Sequence, residues 1–208
     1  MPRPAASSVD PSASRRPPRR PGRPSRTSLD ELVAAATDLG LDRFTLAGVA
    51  ARVGVGESTV YNYVAGRDQL YSVAAAAAFA ELDVQVDADG WSTYVDTIAE
   101  RVVHLVRRHP GLRQYVLQGP YEPSTIAIFE TLVDATRRWL PDVSEDVAFV
   151  VASRPVVLSL GYIGDPVLEP ATPWIRRALL RGIDDQLAEG SAPATGRVSW
   201  RTKLGAPT

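Results

Sequence analysis

The 208-residue chain has no cysteine, one methionine, one lysine and two histidines. Without cysteine there are no disulfides and no thiolate metal sites, which is compatible with a reducing, cytoplasmic setting. The histidines, His104 and His109, are five positions apart, a spacing that does not bring both onto one helix face to share a metal. The lone lysine, Lys203, follows no glycine-rich stretch, so a phosphate-cradling nucleotide loop is missing too. No catalytic residue, cofactor or metal ligand is therefore expected, which weighs against an all-α enzyme. Long apolar runs are also scarce. The longest, Val147 to Gly164, is interrupted by Arg154-Pro155, which a membrane span tolerates poorly. The N-terminus lacks the apolar segment of a secretory signal. A soluble cytoplasmic protein without a membrane partner is the expectation, and 45% hydrophobic and 23% charged residues suffice for a packed core.

Charge is nearly balanced, at a formal net of −1, but unevenly placed. Residues 1–26 hold seven arginines against Asp10, a surplus of +6 that leaves −7 for the rest of the chain. Proline and serine fill the space between these arginines, the composition of a disordered basic arm. The stretch Arg20-Pro21-Gly22-Arg23-Pro24, followed by Arg26, is similar to arms that enter the DNA minor groove. It lacks a full Arg-Gly-Arg-Pro core. A tail that only aids solubility is the other reading of the same residues.

Residues Thr45 to Leu70, TLAGVAARVGVGESTVYNYVAGRDQL, predict two helices joined by a tight turn. Val49, Ala50 and Val53 form one side of the first helix, Gly54 allows a left-handed turn, and Val55, Val60 and Tyr63 return apolar groups to the same core. Glu57, Ser58, Thr59, Tyr61 and Asn62 are then left outward. Such hydrogen-bonding groups on the second helix of a helix-turn-helix suit base edges and phosphate oxygens. Thr59 and Asn62 are the expected base readers, Tyr61 a phosphate or thymine-methyl contact, and Ser58 either. Glu57 can accept from cytosine N4 or simply favour the helix start through the macrodipole. A helix over Leu29 to Leu39, capped by Thr27 or Ser28 and stopped by Gly40, precedes the motif, and Thr45 caps its first helix.

Residues 22–72 resemble the DNA-binding head of the tetracycline-repressor (TetR) family. The resemblance rests on Gly22-Arg23-Pro24 before the first helix, Thr45-Leu46 opening the second, Tyr61-Asn62-Tyr63 closing the recognition helix, and Arg67-Asp68-Gln69-Leu70 opening the next. It covers the first third of the chain. It implies a phosphate contact for Thr45, a phosphate clamp at Arg67, and contacts from Arg20, Arg23 and Arg26 of the arm. Two positions depart from the family pattern: Gly56 stands where a serine or threonine often caps the recognition helix, and Val64 replaces an aromatic residue.

The remainder reads as helices: an alanine-rich one from Tyr71 to Val86, then Trp91 to Arg108, a short one around Leu112 to Leu117, Ser124 to Leu140, Val143 to Ile163 and Pro173 to Leu187, with a kink or break at Pro155. The fold class is all-α, an N-terminal helix-turn-helix DNA-binding head plus a larger C-terminal helical ligand-binding and dimerisation domain. The expected divisions are a disordered basic arm at 1–26, the head at 27–72, the effector-binding and dimerisation domain at 73–190 and a flexible tail at 191–208.

The resemblance further implies a homodimer, a palindromic double-stranded DNA operator, and a small-molecule effector of unknown identity that releases it, hence a repressor. Dimerisation also follows from mechanism, because one small head buries too little surface for tight specific binding. Val150, Val157, Leu160, Trp174, Ala178 and Leu179 are the interface candidates, each with an intramolecular core role as the alternative. Tyr94, His104, Tyr115, Gln118, Phe129 and Arg154 are the candidates for the effector pocket. Arg154, set among Val150, Val151, Val157 and Leu158, requires an acid, a carbonyl or an anionic ligand as partner, internal pairing being the first expectation. A sequence-indifferent DNA binder driven by the arm is the competing reading.

Overall fold

The computed structural model describes residues 27–192, 196 and 198–205, with no strand among them. Arg20, Arg23 and Arg26 lie outside the described residues. The head starts with α1 (Leu29–Leu39). Ser28 caps it in a reciprocal box, its hydroxyl accepting from Glu31 N at 3.2 Å while the Glu31 carboxylate accepts from Ser28 N at 3.0 Å. Gly40, at φ 93°, ends the helix. Helix α2 (Leu46–Val53) is capped by Thr45 and closed by the left-handed Gly54, leading into the short α3 (Glu57–Val60). Gly56 supplies no side-chain cap to α3; the helix is one turn long and continues as turns through Tyr63. Leu32, Ala36, Val49, Val60 and Leu70 are fully buried between these elements and α4 (Arg67–Phe79). Val64 is buried as well, filling with a smaller side chain the place between the recognition helix and α4.

Helix α4 ends at Phe79 rather than at Val86. From Leu82 to Ala88 the chain alternates apolar and polar residues, LDVQVDA, the period of an extended backbone with one face buried. Leu82, Val84, Val86 and Ala88 pack on the core. The backbone carbonyls of this segment are held by the body: Arg101 donates to the carbonyls of Asp83 (2.6 Å) and Gln85 (2.7 Å), and the Tyr94 hydroxyl to Val84 O at 3.3 Å.

The body comprises α5 (Trp91–Arg108), α6 (Leu112–Gln118), α7 (Pro123–Trp139), α8 (Glu145–Gly161), α9 (Leu168–Ala188) and α10 (Trp200–Lys203). Trp91, Tyr94, Val95, Ile98, Val102 and Leu105 of α5 are all buried, the 3.6-residue stripe expected of it. Helix α8 lies at the centre, packed on α5, α7 and α9. It runs through Pro155 without a break. The ring removes one backbone donor, yet Pro155 is itself buried among these neighbours, so packing on several sides outweighs the local cost. The buried Arg176 of α9 clasps α5 and α8: it pairs with Asp96, with Glu100 at 2.7 Å, and donates to Ser159 Oγ at 3.3 Å. No helix among the described residues is long and apolar enough to cross a membrane.

Candidate DNA-reading face and internal cavity

The outward residues of the recognition segment are where the alternation of buried and open positions puts them. Val60 is fully buried, anchoring the helix, while Glu57, Ser58, Tyr61 and Asn62 are exposed and Thr59 is half-buried. Tyr61 leaves 54% of its surface open, unusual for a ring with no partner to cover it. Tyr63 faces inward, its hydroxyl donating to Thr27 O at 2.6 Å, which ties the recognition segment to the start of α1. Thr45 Oγ1 accepts from Gly48 N at 3.0 Å, so the cap uses the oxygen's lone pair and leaves the hydroxyl proton available.

Arg67 has work inside the head. Its guanidinium lies 4.8 Å over the Phe44 ring and donates to Phe44 O at 3.1 Å and Asp42 O at 3.3 Å. It fixes α4 against the loop between α1 and α2, while its side remains exposed.

That loop is also where head meets body. A Cβ built on Gly111, at φ +96°, would stand 2.4 Å from Asp42 N and 2.8 Å from Leu41 C, so the bend between α5 and α6 presses directly on the backbone of the head. Tyr71 of α4 donates to Gly111 O at 3.0 Å, closing the contact from the other side.

Helix α6 leads from that junction to a cavity of about 140 Å³. Phe79, Tyr121, Phe129 and Phe149 supply its aromatic wall, Val102, Leu132 and Val156 its aliphatic wall, and Ser153, Arg154 and Lys203 its polar groups. Of the six residues expected to line a pocket, Phe129 and Arg154 do. Tyr94 is buried elsewhere, bonded to Val84. Tyr115 is fully buried and structural: its hydroxyl contacts Thr125 Oγ1 at 2.8 Å and accepts from Glu122 N at 2.9 Å, and burial pushes its pKa up. Gln118 is bonded to Gln114 at 2.7 Å, outside the lining. His104 lies on surface grooves beside Glu100. Tyr94 and Tyr115 lie outside the lining because an apolar stripe marks burial, and burial alone does not separate a packed ring from a cavity wall; His104 and Gln118 are exposed.

Arg154 corrects a different expectation. It is exposed, with no hydrogen bond or ion pair among the described residues, while the paired buried arginine is Arg176. Ser153 Oγ is buried without a hydrogen-bond partner. The tail is also not free throughout. Trp200 is buried, its ring stacked on Phe149 at 4.8 Å, its backbone N bonded to Asp146 at 2.8 Å and its indole N–H to Glu145 at 3.0 Å. Arg201 pairs with Glu130 and Glu145. Lys203 and Leu204 then form part of the cavity wall.

Among the interface candidates, Val150, Val157, Trp174 and Ala178 are exposed, Trp174 by 70%, and Leu179 is half-buried. Leu160 is fully buried within the chain's own core and is not available to a second copy. Val167, at the N-cap of α9, is exposed as well.

A helix-turn-helix head joined through its fourth helix to a helical body with an apolar cavity is the build of the TetR-family regulators, and the chain has their fold. The Streptomyces coelicolor TetR family protein ActR, in complex with (S)-DNPA, superposes with a TM-score of 0.60 over 80% of this chain and 100% of that one, at 18% identity. A TetR from Acinetobacter baumannii AYE, in complex with minocycline, gives 0.57 over 83% and 99%, at 14% identity. The HTH-type transcriptional repressor DrrR1 of Streptomyces coeruleorubidus is 33% identical over 106 residues, 48% of this chain and 38% of that protein. The chain thus spans well under half the length of this curated relative. No family model matches the sequence.

Proposed function

We propose that the protein is a sequence-specific, DNA-binding transcriptional repressor, acting as a homodimer and released from its operator by a small molecule in the α4–α8 cavity. The observation that carries this reading is the recognition segment: Val60 is fully buried in the head while Ser58, Tyr61 and Asn62 are exposed and Thr59 is half-buried. Thr59 and Asn62 read base edges, Ser58 and Tyr61 contact backbone or bases, and Thr45 donates its free hydroxyl proton to a phosphate. Glu57 accepts from cytosine or steadies the helix start. Arg67 supports the head through Phe44 and meets a phosphate with its remaining donors. The described head is acidic, so Arg20, Arg23 and Arg26 of the arm supply the attraction to DNA.

Two copies meet through the open apolar faces of α8 and α9, with Val150, Val157, Trp174 and Ala178 at the seam, and so present two heads to an inverted repeat. An occupant of the cavity touches Val116 and Leu117 of α6. Any shift of α6 reaches the head through Gly111 and Asp42, and a differential affinity of about 1.4 kcal/mol changes operator affinity tenfold.

The test is to incubate the purified chain with fragmented genomic DNA from its source, recover what binds and sequence it. A shared inverted repeat with half-sites about one helical turn apart supports the reading. Recovery without a common motif favours the sequence-indifferent binder instead.

A further inference from the structure

The charged groups that line the cavity are both cationic. Among the described residues no aspartate or glutamate lines it; Arg154 on α8 and Lys203 on α10 do, and neither forms an ion pair there. The acids that might have neutralised them, Glu130, Glu145 and Asp146, are engaged with Arg201 and Trp200. Ser153 lines the cavity as well, and its hydroxyl is buried with no hydrogen-bond partner among the described residues. Burying such a group unsatisfied is costly unless a ligand completes it. The volume, about 140 Å³, is comparable to that of a cavity that holds one benzene ring, and four aromatic side chains stand in the lining.

From these features we infer that the cavity takes a small aromatic acid, its ring among Phe79, Tyr121, Phe129 and Phe149 and its carboxylate held by Arg154, Lys203 and Ser153. This rests on the reading of the cavity as the effector site and names the chemistry of its occupant. It also assigns a role to the C-terminal segment. Lys203 and Leu204 reach the cavity because Trp200 and Arg201 dock α10 on α7 and α8, so ligand and α10 stabilise each other's position. A ligand with more than one ring requires α10 to move aside.

The experiment is calorimetric titration of the full chain with benzoate and phenylacetate, against benzamide and phenylacetamide, which keep the shape and lose the charge. The acids are expected to bind about tenfold or more tightly than the amides, as charge-assisted hydrogen bonds in a partly dry site provide. Lys203→Gln removes most of that preference, weakening the acids far more than the amides. Arg154→Gln does the same, with oligomeric mass checked because the residue neighbours Val150 and Val157. Both residues are exposed, so neither substitution threatens folding. Equal binding of acids and amides, an unaltered preference in Lys203→Gln, or no binding by either acid overturns the inference. Operator binding is measured in parallel. Release by a neutral compound alone keeps the regulator and discards the acid, whereas acids that bind without weakening operator binding keep the site chemistry and discard the effector role.

Discussion

Gly111 is the residue on which head and body bear. It adopts a φ of +96°, and the position of a Cβ there is already occupied by the backbone of Leu41 and Asp42. No rotamer change relieves a clash with main-chain atoms. Gly111→Ala therefore adds conformational strain of about 1–3 kcal/mol to a displacement of the α1–α2 loop, and that loop carries Arg67's two carbonyl acceptors and leads into the Thr45 cap. The expected result is a melting temperature lower by several degrees together with weaker operator binding that no longer responds to ligand. An unchanged melting curve with intact ligand response would show that the junction is looser than its contacts imply. The glycine was visible in the sequence only as a helix breaker after His109-Pro110, because its real constraint comes from residues seventy positions earlier in the chain, roughly the separation that local pattern reading does not span.

At the scale of elements, periodicity carried most of the fold. Helices α1, α2 and α5 begin and end where caps, glycines and apolar spacing place them, because each of these signals acts within one or two turns. The end of α4 was missed because seven consecutive positions from Ser72 to Ala78 are mostly alanine, whose helix propensity masks the switch to period two at Leu82. The docking of α10 was missed for a different reason: Trp200 finds Phe149, Asp146 and Glu145 about fifty residues away, and a short tail with one tryptophan carries no periodic signal.

Helix α9 provides a pH-dependent element. Asp165 accepts from the backbone N–H groups of Leu168 and Val167, and Glu169 from that of Gly164 and from Arg107, which lowers both carboxyl pKa values from 3.8 and 4.5. With folded values below unfolded ones, their contribution is complete above the unfolded values and is lost as the pH falls through the lowered ones. Circular dichroism melts on acidification below about pH 4 are expected to show α9 loosening at its start, and Asp165→Asn with Glu169→Gln to remove that part of the acid dependence while costing some stability at neutral pH. Identical acid profiles for the wild type and the double variant would contradict it.

For the whole molecule, the proposed function divides attraction and recognition between two parts of the chain. Seven arginines stand in residues 1–26, whereas the residues proposed to read DNA between Glu57 and Asn62 are uncharged apart from Glu57. Removal of residues 1–26 is expected to weaken binding to any DNA and to flatten the fall of affinity with salt, by close to one in log–log slope for each lost phosphate contact. A slope unchanged by the deletion would mean that the arm makes no such contact. Loss of a reading residue has the opposite signature, a change in preference with little change in slope.

The direct test of the account is the affinity of the protein for a recovered operator and for a scrambled duplex of equal length, measured with the wild type and with Asn62→Ala at fixed salt. The wild type is predicted to prefer the operator by about a thousandfold or more, and Asn62→Ala to lose about 1–3 kcal/mol on the operator alone, with scrambled binding unaltered. Equal affinity for both duplexes, or an Asn62→Ala variant that keeps the full preference, would contradict the assignment of the recognition segment.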